Sequence, residues 1–150
     1  MLPKGRQEIE IEKTHPDPLL SLHQPLTVCR SRFLGTALTQ YKEAWETRDA
    51  DLAATLFTRD AHYWENPFGE AIVGREAIRA YWQAATDTQE DIHFKVGNAF
   101  HHKYTLVAEW TCDYRHRPTG ELRELAGIMF ADFYGVQVRT FREYWHRRTK

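Results

Sequence analysis

The chain is short of cysteine, of net charge and of long apolar runs, and each shortage removes a class of protein. Two cysteines among 150 residues, Cys29 and Cys112, cannot build a disulfide framework. Twenty Lys and Arg against 21 Asp and Glu leave a formal net charge of −1, with no global pull toward nucleic acid or anionic lipid. No apolar run approaches the roughly 20 residues of a membrane-spanning helix. The continuous apolar segment of a signal peptide is missing too, because Leu19, Leu20 and Leu22 are hemmed in by Pro16, Pro18 and Pro25. The default expectation is therefore a cytoplasmic protein with neither nucleic acid nor membrane as partner. There is no internal repeat, no heptad, no phosphate loop, no nucleophile elbow and no cysteine–histidine signature. Eight histidines supply no helical i, i+4 pair with an acidic partner, so no metal and no cofactor are expected. His101-His102 reads as part of a hairpin turn, and Arg147-Arg148-Lys150 as a solvated chain end.

What the chain does have is aromatic: 13% of residues, with five Trp and seven Tyr, beside an ordinary 42% hydrophobic content. A core uses some of these rings, and a pocket for flat apolar ligands would use the rest. Residues 1–30 read as a mostly irregular tail, broken by its prolines and dispensable for folding. Residues 31–150 read as one domain. Phe33, Leu34, Ala37, Leu38, Tyr41 and Trp45 recur at helical spacing and predict a first helix over 31–47. Asp49 or Asp51 can cap a short second helix carrying Leu52, Ala53, Leu56 and Phe57. A strand is expected over 61–66 and a third helix over 75–85. From Ile92 the hydrophobic period drops to two, which predicts four consecutive antiparallel strands over 92–147. The fold class is α+β: three N-terminal helices packed on a curved antiparallel sheet, enclosing a pocket.

Two carboxylates break their local pattern. Phe141, Glu143 and Trp145 share one face of the last strand, opposite Thr140, Arg142, Tyr144 and His146. Glu65 shares a strand face with Tyr63 and Ala61. A carboxylate in an apolar pocket is costly unless paired, and desolvation raises its pKa into the range of a general acid or base. The competing reading is a structural one, in which Arg79, Arg139 or Arg142 neutralises each glutamate.

Arg48-Asp49-Ala50-Asp51, Leu56 to Ala61, Glu65-Asn66-Pro67-Phe68-Gly69, Gly74 to Ile78 and Phe141 to Trp145 together resemble the nuclear transport factor 2-like superfamily. Within it they are most similar to SnoaL-like polyketide cyclases and ketosteroid isomerases, over about residues 33–147. The resemblance implies a cystatin-like cone. It also implies an enzyme doing general acid/base proton transfer, of isomerase, cyclase or dehydratase type, on a small apolar carbonyl compound. By the same resemblance, Glu65 falls where the isomerases keep their base and Tyr41 where they keep an oxyanion tyrosine. A one-position shift of the local proline leaves Asn66 as the alternative counterpart of the base. Glu143 would tune or return the proton. Tyr63, Asn66, Tyr81, Trp82, Met129, Phe141 and Trp145 would bind a small apolar or aromatic ligand. Met129 stands where the isomerases hold a second acid, which argues against steroid isomerisation itself. The resemblance further implies a homodimer through the outer sheet face. A non-catalytic ligand-binding or dimeric accessory domain of the same fold is the alternative.

Overall fold

The structure, a computed structural model, describes the backbone of residues 24–150 and side chains from residue 32 onward. Helix α1 spans Gln24–Thr47 and α2 spans Ala50–Thr55. Strands β1 (Phe57–Trp64) and β2 (Ile72–Val73) precede α3 (Arg75–Asp87). Four long strands follow: β3 (Gln89–His102), β4 (Thr105–His116), β5 (Leu122–Tyr134) and β6 (Gln137–Thr149). They form one six-stranded sheet in the order β2-β1-β6-β5-β4-β3. This is the expected α+β architecture of helices over a curved sheet.

Several boundaries differ from the sequence reading, each for a local reason. Helix α1 begins at Gln24 rather than Ser31, with Pro25 in its first turn, where a missing N–H is tolerated. The expected tail up to residue 23 lies outside the described residues. Asp49 is the cap of α2: its Oδ1 accepts from the Leu52 N–H at 2.8 Å. Phe57 leaves the helix and opens β1, because β6 and α3 claim the backbone there. Val138 N donates to Leu56 O at 2.7 Å, and Arg75 Nε donates to Phe57 O at 2.8 Å. His101 and His102 end β3, paired with Leu106 and Thr105, so the turn falls on Lys103 and Tyr104, with Lys103 at φ 53°.

Strands β3 to β6 pair antiparallel in sequence order, as expected from their short turns. The β1–β6 pair is parallel, with Tyr63 beside Phe141. Helix α3 and four strands separate these two in sequence, and a connection that long permits parallel pairing. The core lies between the concave sheet face and α1 and α3. Tyr41 is the hub of its aromatic layer, with ring centroids 5.2 Å from Trp82, 5.5 Å from Phe94 and 5.6 Å from Phe141. Helix α1 is tied to β3 by a polar knot. Lys42 Nζ donates to Phe94 O at 2.8 Å, and Glu46 Oε1 accepts from Phe94 N at 2.9 Å and from Lys42.

Gly127 of β5 has a structural reason. A Cβ there would lie 2.7 Å from Trp145 Cβ and 3.0 Å from Trp110 Cζ2, besides 2.6 Å from Tyr144 O. The flat glycine lets two indoles close over the sheet from either side. Gly127→Ala should destabilise by about 1–3 kcal/mol through overpacking. Gly35→Ala, on open helix surface, should stabilise by up to about 1 kcal/mol. Urea unfolding midpoints of the two variants should therefore move in opposite directions.

Candidate functional site

Strand alternation and register build the site. Along β6, Phe141, Glu143, Trp145 and Arg147 take one face. Their partners on β5 are Ala131, Met129, Gly127 and Leu125. Across β4 the same rows continue as Leu106, Ala108, Trp110 and Cys112. Phe94 of β3 sits beside Cys112. Where the facing residues are large, the helices pack directly on the sheet. Toward the C-terminal end of β6 they do not meet it, and a cavity of about 220 Å³ remains. Trp45 of α1, Tyr81 and Ala85 of α3, and Thr88 and Gln89 beyond it form the roof. Glu65, Glu143, Trp110, Trp145, Arg123 and Arg147 are among its other walls. The volume lies below the roughly 300–1,000 Å³ of drug-sized sites, so the ligand it suits is small.

Of the candidate residues, Glu65, Glu143, Tyr81 and Trp145 line this cavity. Tyr41, Tyr63, Trp82, Met129 and Phe141 lie behind its walls, each 3% exposed or less. Tyr41, Met129 and Phe141 instead border a space of about 20 Å³, too small for a substrate. Asn66 is exposed, and its Oδ1 accepts from the Phe68 N–H at 2.9 Å, which holds the turn after β1. Glu65 follows the last residue of β1 and is half-buried.

Glu143 is the unusual group. It is 4% exposed, and among the described residues its one hydrogen-bond partner is the Tyr63 hydroxyl, which donates to Oε1. The arginines that could have neutralised it are engaged elsewhere. Arg79 pairs with Asp51, Arg139 with Asp60 at 3.6 Å and Arg142 with Asp132 at 3.3 Å. Burial pushes the Glu143 carboxyl up to about 7. The Tyr63 hydrogen bond pulls the other way, and the charge of Glu65 adds to the rise. Burial, then the charge of Glu143, also holds the Tyr41, Tyr63 and Tyr81 phenols far above their usual value, so they remain donors. The Cys112 thiol is pushed up to about 12 by burial, which leaves it a protonated wall residue and not a nucleophile. Among the described residues no group of His, Cys, Asp and Glu could hold a metal ion.

The sequence reading passed over Trp110, Arg123 and Arg147. Arg147 was legible: continuing the two-residue period from Phe141, Glu143 and Trp145 reaches it. The basic cluster at the chain end divides in the fold. Arg148 pairs with Glu124 and Lys150 with Asp113, while Arg147 lines the cavity. Trp110 was visible only as one member of an apolar strand. Nothing local says which apolar positions border empty space.

Residues 38–139 match the SnoaL-like domain. The chain belongs to the SnoaL-like domain family. Solved structures agree on the fold. A candidate scytalone dehydratase from Novosphingobium aromaticivorans is similar at TM-score 0.71 and 13% identity, over 83% of this chain and 89% of that one. The epoxide hydrolase/cyclase-like enzyme SalBIII, of pyran ring formation in the polyether salinomycin, superposes at 0.69 and 12% identity, over 77% and 95%. An NTF2-like protein from Anabaena variabilis superposes at 0.68 and 15% identity, over 77% and 87%. No curated protein matches this SnoaL-like chain by sequence. Among the described residues no helix is long and apolar enough to cross a membrane.

The raised pKa of Glu143 has a consequence for stability. Below its ordinary value of 4.5 the carboxyl is protonated in both folded and unfolded chains, and burial costs no charge. Between 4.5 and about 7 the unfolded chain ionises while the folded chain keeps its proton, so stability falls as pH rises. Above that window the cost levels off at roughly 3 kcal/mol. Glu143→Gln should remove this dependence. Measured by urea unfolding, the variant should exceed the wild type by roughly 3 kcal/mol at pH 8 and by less than about 1 kcal/mol at pH 5.

Proposed function

We propose that this SnoaL-like protein is an enzyme that moves a proton at carbon, of isomerase, cyclase or dehydratase type, on a small and mostly apolar carbonyl compound. The observation that carries the reading is Glu143: a carboxyl buried in a cavity wall, free of any cationic partner among the described residues, with its pKa near 7. A general base works best when its pKa lies near the working pH. Two structural relatives carry names of the cyclase and dehydratase types.

In this reading Glu143 takes the proton from the carbon beside the carbonyl. The Tyr63 hydroxyl, donating to Oε1, fixes which way the carboxylate faces. Tyr81, a phenol that stays protonated on the cavity roof, donates a hydrogen bond to the developing enolate oxygen. Glu65, half-buried on the same cavity, exchanges the proton with solvent and returns it. The base and donor roles thus pass from Glu65 and Tyr41 to Glu143 and Tyr81, because Glu143 has the burial and Tyr81 the access. Trp45, Trp110 and Trp145 give a flat apolar wall for the substrate body. Association of two copies through the outer sheet face belongs to the same reading; Ile128 and Tyr144 remain 39% and 46% exposed there.

The test is exchange of α-hydrogens for deuterium in small ketones such as 1-tetralone and 2-cyclohexenone, followed by proton NMR in D2O. Wild type should accelerate exchange, with a rate rising through an inflection near pH 7. Glu143→Gln should lower it by about 10²- to 10⁴-fold while the fold persists. Glu65→Gln should cost less. Absence of exchange by wild type, or an unaffected Glu143→Gln, would leave the ligand-binding alternative in its place.

A further inference from the structure

The cavity is electrically lopsided. Its inner wall carries Glu143, with Glu65 near it, and both are acidic. Its other end carries Arg123 and Arg147. The register puts these groups in successive rows. Glu143 pairs with Met129, Trp145 with Gly127, Arg147 with Leu125, and Arg123 lies one row further along β5. From Glu143 to Arg147 is four residues of strand, about 13 Å between their backbones. Between them lie Trp145 and the flat Gly127 that admits Trp110.

The two arginines differ in their surroundings. The Arg123 side chain is 15% exposed and donates to Glu121 at 2.9 Å. Glu121 is held below its ordinary range by Arg123 and Thr119, so it stays ionised and offsets one positive charge. Arg147 is exposed, and its side chain has neither an ion pair nor a hydrogen bond among the described residues. Its neighbours along the chain do: Arg148 pairs with Glu124, and Lys150 with Asp113 at 2.8 Å. The mouth of the cavity therefore holds one unmatched positive charge, presented by a planar fork suited to a carboxylate.

Hydrogen-bonding groups without partners add to this. Trp110 is 5% exposed and its indole Nε1 has no acceptor; the Gln89 Oε1 atom is buried and unmatched as well. Both residues line the cavity. A buried polar group without a partner is costly, and a ligand with its own polar atoms relieves that cost. A negative group placed beside Glu143 and Glu65 would be repelled, so an anionic ligand has one favourable orientation.

Resting on the reading of this cavity as a substrate site, we propose that its ligand is a small aromatic or aliphatic carboxylic acid, with its carboxylate at Arg147 and its reacting carbon, several bonds away, at Glu143. The aromatic walls hold the body between the two ends. The polarity also sets specificity: an amine at the mouth meets a positive charge, and a neutral analogue leaves Arg147 unmatched.

The experiment is isothermal titration calorimetry with trans-cinnamate, cinnamyl alcohol and cinnamamide at pH 7.5, with the full chain. Cinnamate should bind at least about tenfold more tightly than either neutral analogue, and the difference should shrink with added salt, as for a partly exposed ion pair. Arg147→Gln should weaken cinnamate about tenfold and leave cinnamyl alcohol unchanged. Arg147→Lys should recover part of the loss. Arg148→Gln should change neither. Equal binding of acid and alcohol, an equal loss of both in Arg147→Gln, or no binding of cinnamate at millimolar concentration would overturn the proposal. Glu143→Gln separates this idea from the catalytic one: it should keep or increase the preference for the acid even if wild type exchanges no hydrogen.

Discussion

A carboxyl group, Glu143, is enclosed between the sheet and the helices with a phenol, Tyr63, as its hydrogen-bond donor. That contact joins β1 to β6 across the only parallel pairing among the described strands, beside the stacked rings of Tyr63 and Phe141, 4.8 Å apart. Without Tyr63 the carboxyl would have no donor. Without Glu143 the Tyr63 hydroxyl would lose the carboxylate that accepts its hydrogen. Each makes the other tolerable, and neither is matched by a full opposite charge. A carboxyl so placed resists ionisation until near neutral pH, and the chemistry assigned to the cavity begins there.

The cavity exists because its roof is held at a distance. Lys42 and Glu46 bind both the carbonyl and the amide of Phe94, which sets α1 against β3 by polar contacts at a fixed height. Helix α3 is set by Gly74, whose N–H reaches Ala61 O at 2.7 Å, and by Arg79, which pairs with Asp51 of α2. Between these supports the aromatic side chains of Tyr41, Trp82 and Phe141 pack closely on one side of Glu143, leaving a space of only about 20 Å³, while Phe94 lines the cavity on the other. On the other side Gly127 removes a side chain so that Trp110 and Trp145, both walls of the cavity, can approach each other. The arginines are distributed with the same economy. Those on the outer face pair with carboxylates of neighbouring strands, while Arg147, on the inner face, has no protein partner among the described residues.

Element types and the face of each strand were legible along the chain, because side-chain direction follows a period of two in a strand and 3.6 in a helix. The alternation Phe141, Glu143, Trp145 placed a carboxyl on the buried face correctly. Element ends were less legible: Phe57 has a helical spacing to Leu52 and Ala53, yet the pull of β6 on Leu56 O makes it a strand residue. His101 and His102 are polar and look like turn residues, yet they extend β3, since hydrogen-bond pairing with β4 outweighs local preference.

The amino-acid sequence by itself determined the α+β class, the order of the main helices and strands, the four long antiparallel strands that close the chain, and which side of β6 carries Glu143. Those follow from patterns within a few residues, where backbone geometry alone fixes side-chain direction. Only the tertiary structure decided that Glu143 rather than Glu65 is the deeply buried carboxyl, that Tyr63 is its donor and that Tyr41 stands behind the cavity wall. That Glu143, Glu65, Arg123 and Arg147 line one cavity was decided there too. Burial and the pairing of charges depend on residues from distant parts of the chain meeting in space, and no local period encodes how closely two such elements approach.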